Sequence, residues 1–140
     1  MTTYVLDASA VLRFTDKEAG FSRVRDLFKQ AAKGRAELLI SSVNWAEIVA
    51  ALQKRLGPSA GAMAANLATL PIAIVPVDQL AAETAAGFKS TFKLPLADAF
   101  AAALTSLSSG NGKYATLLTA DFDFKSIPAG MIRIEFLPAK

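Results

Sequence analysis

The side chains of this chain that could do chemistry are mainly carboxylates, because its 140 residues include no cysteine and no histidine. The missing cysteine excludes disulfides, thiolate nucleophiles and cysteine-based zinc or iron–sulfur sites. The missing histidine excludes a Ser-His-Asp triad and an imidazole general base. Any catalytic metal must therefore have oxygen ligands, which favours Mg²⁺ or Mn²⁺ over zinc or copper.

Four acidic residues stand where an α/β sheet would place a ligand site. Asp7 directly follows the apolar run TYVL, and Asp121 follows the run YATLLT after one residue. Asp98 is the only charge on a helix that is nearly apolar all round, and a buried carboxylate needs a partner. Glu47 lies in the first two turns of a helix that begins after the second strand.

Each of these acids also has an ordinary explanation. Asp7 and Asp121 are suitable helix N-caps, Asp98 favours the helix dipole from its first turn, and Glu47 is compatible with a solvated surface position. Taken together, four carboxylates at the same edge of the sheet would repel one another and raise each other's pKa. A divalent cation removes that conflict, and the hydroxyls of Ser9 and Thr119 could support it.

The pattern of apolar runs and turn residues predicts strands that alternate with helices, hence a mostly parallel sheet covered on both faces. The predicted strands are Thr3–Leu6, Glu37–Ile40, Ile72–Val75, Tyr114–Thr119 and an edge strand Met131–Glu135. The predicted helices are Ala8–Phe14, one between Gly20 and Gly34, Ser41 or Ser42 to about Leu56, about Ser59–Leu70, Asp78 to about Lys89, and about Leu96–Leu107. Ligands bind such sheets beyond the carboxyl ends of the strands.

Composition predicts one domain over residues 1–140, since 53% of the residues are hydrophobic and 19% are charged. The net charge of +3 is compatible with an anionic partner and equally with an ordinary soluble protein. The uncharged stretch 57–77 is rich in small residues and contains prolines, so we expect no membrane span and a cytoplasmic protein.

Four segments resemble the motifs of the PIN-domain ribonucleases, in the family's order and at about its spacing. They are VLDASAVL (5–12), NWAEI (44–48), LPLADAFAAAL (94–104) and LLTADFDF (117–124), and they are most similar to those of VapC toxins. The stretch Ser106–Lys113 departs from the family pattern, since it is a few residues longer than expected for this connection.

The resemblance implies a three-layer α/β/α fold with four to five strands and a Mg²⁺- or Mn²⁺-dependent endoribonuclease. It also implies a homodimer and inhibition by a small VapB-type antitoxin, hence the toxin role in a type II toxin–antitoxin pair. The family's metal-binding acids fall on Asp7, Glu47, Asp98 and Asp121, its variable acid falls on Asp123, and its supporting hydroxyls fall on Ser9 and Thr119.

Basic and aromatic residues near the acids are the candidates for RNA contact. By proximity in the sequence the basic ones are Arg13, Lys89, Lys93 and Lys125, each equally compatible with a solvated helix end. Phe14, Phe92 and Phe124 could stack on bases, although a core role suits each of them better.

Two other functions are compatible with the sequence. One is a non-catalytic PIN-like binding or scaffold module, which degenerate acids would favour. The other is a metal-dependent phosphatase with Asp7 as nucleophile, although Ser9 stands where haloacid-dehalogenase-like motifs usually have a second aspartate. Cleavage of RNA that is lost in EDTA would distinguish the nuclease from both.

Overall fold

Five short strands, each followed along the chain by helical or irregular segments, build the computed structural model, which describes residues 1–140. The strands are β1 Thr2–Leu6, β2 Ala36–Ser41, β3 Ala73–Val75, β4 Ala115–Thr119 and β5 Arg133–Phe136. The helices are α1 Ala8–Thr15, α2 Phe21–Ala32, α3 Ser42–Leu56, α4 Ala60–Ala68, α5 Gln79–Phe92 and α6 Leu96–Leu107, with 3₁₀ helices at Gly57–Ser59 and Phe122–Ser126.

All five strands are parallel, in the order β3-β2-β1-β4-β5. β1 lies at the centre, where Val5 pairs with Leu39 of β2 on one side and with Leu117 of β4 on the other. The chain therefore moves outward from β1 in one direction and returns to its other side with β4. The carboxyl ends of β1 and β4 flank this reversal, which is the position at which open α/β sheets bind ligands.

Side chains alternate across the sheet into two hydrophobic cores, because successive residues of a strand point to opposite faces. On one face, Leu6 and Leu118 pack with α1 to α4. On the other face, Val5 and Leu117 pack with α5 and α6 and with the fully buried Phe124. This arrangement confirms the predicted three-layer α/β/α fold.

Polar caps begin three of the helices as the sequence predicts. Asp7, Ser41 and Asp78 each accept a hydrogen bond from a backbone N–H in the first turn of α1, α3 and α5. Helix α5 continues to Phe92, beyond the predicted end at Lys89, and Phe92 packs against Phe88 with ring centroids 6.0 Å apart. The apolar stripe thus extends the helix by one more turn.

The segment after α6 is a tight turn that returns the chain to β4. Gly110 and Lys113 exchange two backbone hydrogen bonds of 2.8 and 2.9 Å across Asn111 and Gly112. These two central residues have positive φ values of 53° and 80°, which Asn and Gly tolerate best. The turn lies at the amino end of β4, opposite to the strand ends that carry the acids, so the extra residues of this connection leave the site unaffected.

The edge strand β5 begins two residues later than predicted, at Arg133. The two 3₁₀ helices were not predicted. None of the six α-helices combines the length and the hydropathy that a membrane span requires.

Candidate metal centre

The first acid of the site, Asp7, lies between the end of β1 and the start of α1. Its Oδ1 accepts hydrogen bonds from Ala10 N at 3.0 Å and from Ser9 Oγ at 2.7 Å, and its Oδ2 accepts one from Thr119 Oγ1 at 2.5 Å. The same carboxylate therefore caps α1 and joins the end of β1 to the end of β4. Only 3% of Asp7 is exposed.

The hydroxyls of Ser9 and Thr119 connect the two strand ends directly. Their oxygens lie 3.2 Å apart. Ser9 Oγ accepts a hydrogen bond from Ala120 N at 2.9 Å, and Thr119 Oγ1 accepts one from Asp121 N, also at 2.9 Å. These bonds set the direction of the chain after β4 and thereby position Asp121.

Burial dominates the protonation of Asp7. It raises the pKa of Asp7 to about 6, against the opposing effect of the hydrogen bonds from Thr119, Ser9 and Ala10, and the charge of Asp121 raises it further. Three hydrogen bonds to a carboxylate normally hold its pKa low. The raised value therefore shows how strongly the site penalises a bare negative charge.

Three further carboxylates meet beside Asp7. One oxygen from each of Asp98, Asp121 and Asp123 lies within 4.8 Å of the corresponding oxygens of the other two. Asp98 comes from the first turn of α6, and Asp121 caps the 3₁₀ helix that contains Asp123, accepting a hydrogen bond from Asp123 N at 2.9 Å. The fold thus brings together acids from two distant segments of the chain.

Asp98 is the most perturbed group of the protein. Burial raises its pKa to about 8, and a hydrogen bond with Asp121 and the negative charges of Asp121, Asp7 and Glu47 act in the same direction. Its Oδ2 is buried without a hydrogen-bond partner. Buried polar atoms are normally satisfied, so this oxygen needs either a proton or a cation.

Glu47 reaches the site from α3 as an exposed side chain that Asn44 orients. The buried Asn44 Nδ2 donates to Glu47 Oε1 and to Ala97 O, each at 3.1 Å. Asn44 therefore joins α3 to the first turn of α6, one residue before Asp98. The sequence analysis did not assign this role to Asn44, although its position in the NWAEI segment, one helical turn before Glu47, was a usable signal.

The donor set suits a hard divalent cation. It consists of carboxylate oxygens, it includes the unpartnered Asp98 Oδ2, and the negative charges around Asp98 help to raise the pKa of that group. Asp98, Asp121 and Asp123 would supply the nearest ligands, with Asp7 and Glu47 at the border of the group. Oxygen ligands of this kind are those that Mg²⁺ and Mn²⁺ prefer.

The basic residues chosen by proximity in the sequence have different surroundings. Arg13 is buried, and its Nη1 donates to Ala19 O and Pro138 O, both at 2.7 Å, so it cannot serve as an open phosphate contact. Its prediction as an RNA-binding residue was wrong, because a partner 125 residues away in the sequence engages it.

The three lysines remain exposed. Lys89 Nζ donates to Leu94 O at 3.2 Å, and Lys125 Nζ lies 4.8 Å from the centre of the Phe122 ring. Lys93 ends α5 in a left-handed conformation with φ 54°. The aromatic side chains with a possible stacking role belong to the core instead: Phe14 packs on Phe21 and Phe28, Phe92 packs on Phe88, and Phe124 is fully buried.

Comparison with solved structures shows the same fold in toxin–antitoxin proteins. VapBC2 from Rickettsia felis, bound to a DNA fragment from its promoter, has a TM-score of 0.73 and 16% identity over 98% of this chain and all of that chain. DNA-bound VapBC from Salmonella typhimurium has a TM-score of 0.72 and 18% identity over 96% of this chain and 98% of that one.

A third structure, VapC20 from Mycobacterium tuberculosis, described as a toxin that cleaves the sarcin-ricin loop, has a TM-score of 0.69 and 18% identity over 96% and 99% of the two chains. No curated protein sequence matches the chain. The family model of the PIN domain matches residues 4–130, a span that contains all five acids of the site. With strands, helices and carboxylates arranged as described above, the chain belongs to the PIN domain family.

Proposed function

We propose that this protein is a metal-dependent endoribonuclease that hydrolyses RNA phosphodiester bonds. The observation that carries the proposal is the meeting of Asp98, Asp121 and Asp123 within 4.8 Å beside the buried Asp7, with one Asp98 oxygen left unpartnered. Membership in the PIN domain family supports a nuclease. The shared fold of VapC20, a toxin that cleaves the sarcin-ricin loop, supports RNA as the substrate.

The acids of this chain have two tasks in the proposed reaction. Their first task is to hold Mg²⁺ or Mn²⁺, and Asp98 contributes the oxygen that has no other partner. When bound, such an ion supplies Lewis-acid activation of water and neutralises charge on the phosphate. The second task is electrostatic selection, because the negative charges of the site repel a phosphodiester unless a cation offsets them.

Ser9 and Thr119 act as positioning residues in this scheme. Each holds the Asp7 carboxylate and a backbone N–H of the segment after β4, so they keep the two sides of the site in register. Asn44 does the same for Glu47 and the start of α6. The site therefore needs little rearrangement before it binds a metal ion and a substrate.

We further propose that the protein is the toxin of a type II pair, held inactive by a small VapB-type antitoxin. The VapBC structures from Rickettsia felis and Salmonella typhimurium support this, since the fold that they share with this protein extends over 98% and 96% of the chain. A homodimer and a cytoplasmic location belong to the same proposal. Size-exclusion chromatography of the purified chain measures the oligomeric state.

The test is incubation of the protein with end-labelled RNA in Mn²⁺, in Mg²⁺ and in EDTA. We expect cleavage in both metals, none in EDTA, and none with Asp98→Asn. Asp26→Asn is the matched control, because Asp26 is an exposed carboxylate on α2 and its loss should leave cleavage unchanged. Release of phosphate from small esters without RNA cleavage would instead identify a phosphatase, and no hydrolysis of either would leave a binding module.

A further inference from the structure

A groove between α1 and α3 leads away from the acids. It has a volume of about 460 Å³ and is bordered by Ser9 at one end and by Lys54, Arg55 and Lys140 further along. Ser9, which lines the groove, donates a hydrogen bond to Asp7, so the wall of the groove contacts one of the acids. None of its three exposed cations was among the RNA-binding residues expected from the sequence.

The helical period places the groove and the site on one continuous face of α3. Glu47, Ala51 and Lys54 are spaced by four and three residues, which puts them on the same side of a helix. Lys54 is seven residues beyond Glu47, or about 10 Å along the helix axis. A chain that has its scissile phosphate at the acids would therefore present a neighbouring phosphate near Lys54.

The groove is polar and carries positive charge. Three exposed cationic side chains and two acidic ones border it, together with the engaged Arg13, while its only apolar side chains are Leu12 and Ala51. Protein partners normally bind through apolar or aromatic anchors in a dry pocket, and this groove offers almost no surface of that kind. A phosphodiester backbone needs cations and hydrogen-bond donors, which the groove supplies.

The cations differ in how freely they can bind an anion. Lys54 has no ion pair and no side-chain hydrogen bond. Arg55 forms an ion pair with Asp16, and Lys140 Nζ lies 2.6 Å from Glu18 Oε2. Asp16 and Glu18, which follow α1, are thus paired with Arg55 and Lys140, and a phosphate would compete with these two carboxylates.

We propose that this groove binds the RNA backbone next to the scissile phosphate, with Lys54 and Arg55 as the phosphate-binding residues. The proposal rests on the nuclease function proposed above and extends it by naming where the rest of the substrate lies. It also explains the ion pair of Arg55 with Asp16 as a competitor of the substrate. Removing Asp16 should strengthen RNA binding, although Asp16 lies outside the metal centre.

The test measures binding separately from cleavage. The anisotropy of a fluorescein-labelled single-stranded RNA of about 12 nucleotides, within the size of known single-strand sites, is titrated with protein carrying Asp98→Asn so that the RNA stays intact. We expect the double variant Lys54→Ala/Arg55→Ala on that background to bind severalfold more weakly. The slope of log affinity against log salt should become shallower by about 1.4, because each lost phosphate contact on a single strand removes about 0.7.

Lys33→Ala/Arg35→Ala is the matched control. It also removes one lysine and one arginine, both exposed, but these residues precede β2 and so lie at the amino end of the sheet, opposite to the acids. We expect this control to lose less affinity and to keep the salt slope. Asp16→Asn should increase affinity, since Arg55 then has no competing carboxylate.

The outcomes separate this proposal from the nuclease function. If the double variant matches the control in affinity and in salt slope, the groove proposal is overturned and the groove serves another partner, such as a protein. If the groove residues control RNA binding but the wild-type chain cleaves no RNA in Mn²⁺, the groove proposal is supported and the nuclease function fails. In cleavage assays, the double variant should raise KM for long RNA but leave KM unchanged for a dinucleoside monophosphate, which is too short to reach Lys54.

Discussion

Replacing the buried Asp7 by asparagine should make the metal-free protein more stable at neutral pH, and it should not destabilise the protein at any pH tested. Asparagine has nearly the same shape, and its amide can donate to Thr119 Oγ1 while the Thr119 hydroxyl donates to Ser9 Oγ, which lies 3.2 Å away. The substitution therefore removes the ionisation of the buried carboxyl while it retains a satisfied set of hydrogen bonds.

The magnitude follows from the pKa of Asp7, which burial raises from 3.8 to about 6. A carboxyl with a higher pKa in the folded than in the unfolded protein holds its proton more tightly when folded. Its contribution to stability is fully present below about pH 4 and is lost as the pH rises through about 6. The loss amounts to about 3 kcal/mol in the free energy of unfolding once Asp7 is ionised.

The assay is urea unfolding of the wild-type and Asp7→Asn proteins in EDTA, at intervals from pH 4 to pH 8, with linear extrapolation of the free energy to water. We expect the two proteins to have similar stability near pH 4 and Asp7→Asn to be about 3 kcal/mol more stable at pH 8. Asp98 follows the same trend to higher pH, and because the charge of Asp7 helps to raise the pKa of Asp98, its removal acts in the same direction as the expected difference.

A stability difference that is independent of pH would refute this reasoning, and so would an Asp7→Asn protein that is less stable than wild type at pH 8. The control is Asp26→Asn on α2, where the carboxylate is exposed and solvated. Its difference from wild type should stay small across the whole range. Asp7→Asn should nevertheless lose RNA cleavage, so the same change would increase stability and remove activity.

Three further predictions concern the metal, a positioning residue and the core. Mn²⁺ binding followed by calorimetry at pH 7 should release about one proton, because Asp98 has a pKa of about 8 before a metal binds. Asp98→Asn should abolish this release, and binding by the wild-type protein at pH 7 without proton release would contradict the prediction. Asn44→Ala should weaken Mn²⁺ binding severalfold and cost about 1–3 kcal/mol in stability, since Glu47 and Ala97 lose their shared donor; an unchanged Mn²⁺ affinity would remove Asn44 from the positioning residues. Phe124→Ala should cost about 3–5 kcal/mol in urea unfolding, because the ring is fully buried between the sheet, α5 and α6; a loss below 1 kcal/mol would mean that the core collapses around the missing ring.

The sequence alone predicts the elements that place the acids, because those elements have local signals. Apolar runs that end in Asp7 and in the TAD segment mark two strand ends, and alanines around Asp98 mark a buried helix. The relative positions of the strands were not predictable in the same way. That β1 lies between β2 and β4 depends on pairings between residues more than 30 or 100 positions apart.

The misassigned and missed residues have the same physical origin. Arg13 has an ordinary place on α1, and nothing near it in the sequence reveals that Pro138 O would accept from its guanidinium. Asn44 also acts across the fold, because Ala97 belongs to a different helix. Strand ends place Asp7 near Asp121, whereas proximity in the sequence carries no information on what Arg13 contacts across the fold.

The bonds that join Ser9 and Asp7 to Thr119 span about 110 residues of sequence and have a consequence for the order of folding. Contacts of such high sequence separation form late, because the entropy of closing the long intervening loop must be overcome first. During translation β1 can pair with β4 only after β4 has been synthesised, and β4 follows all six helices in the chain. Incomplete chains on a ribosome would carry Asp7 without Thr119, so the proposed metal centre would assemble only when nearly the whole domain has been synthesised.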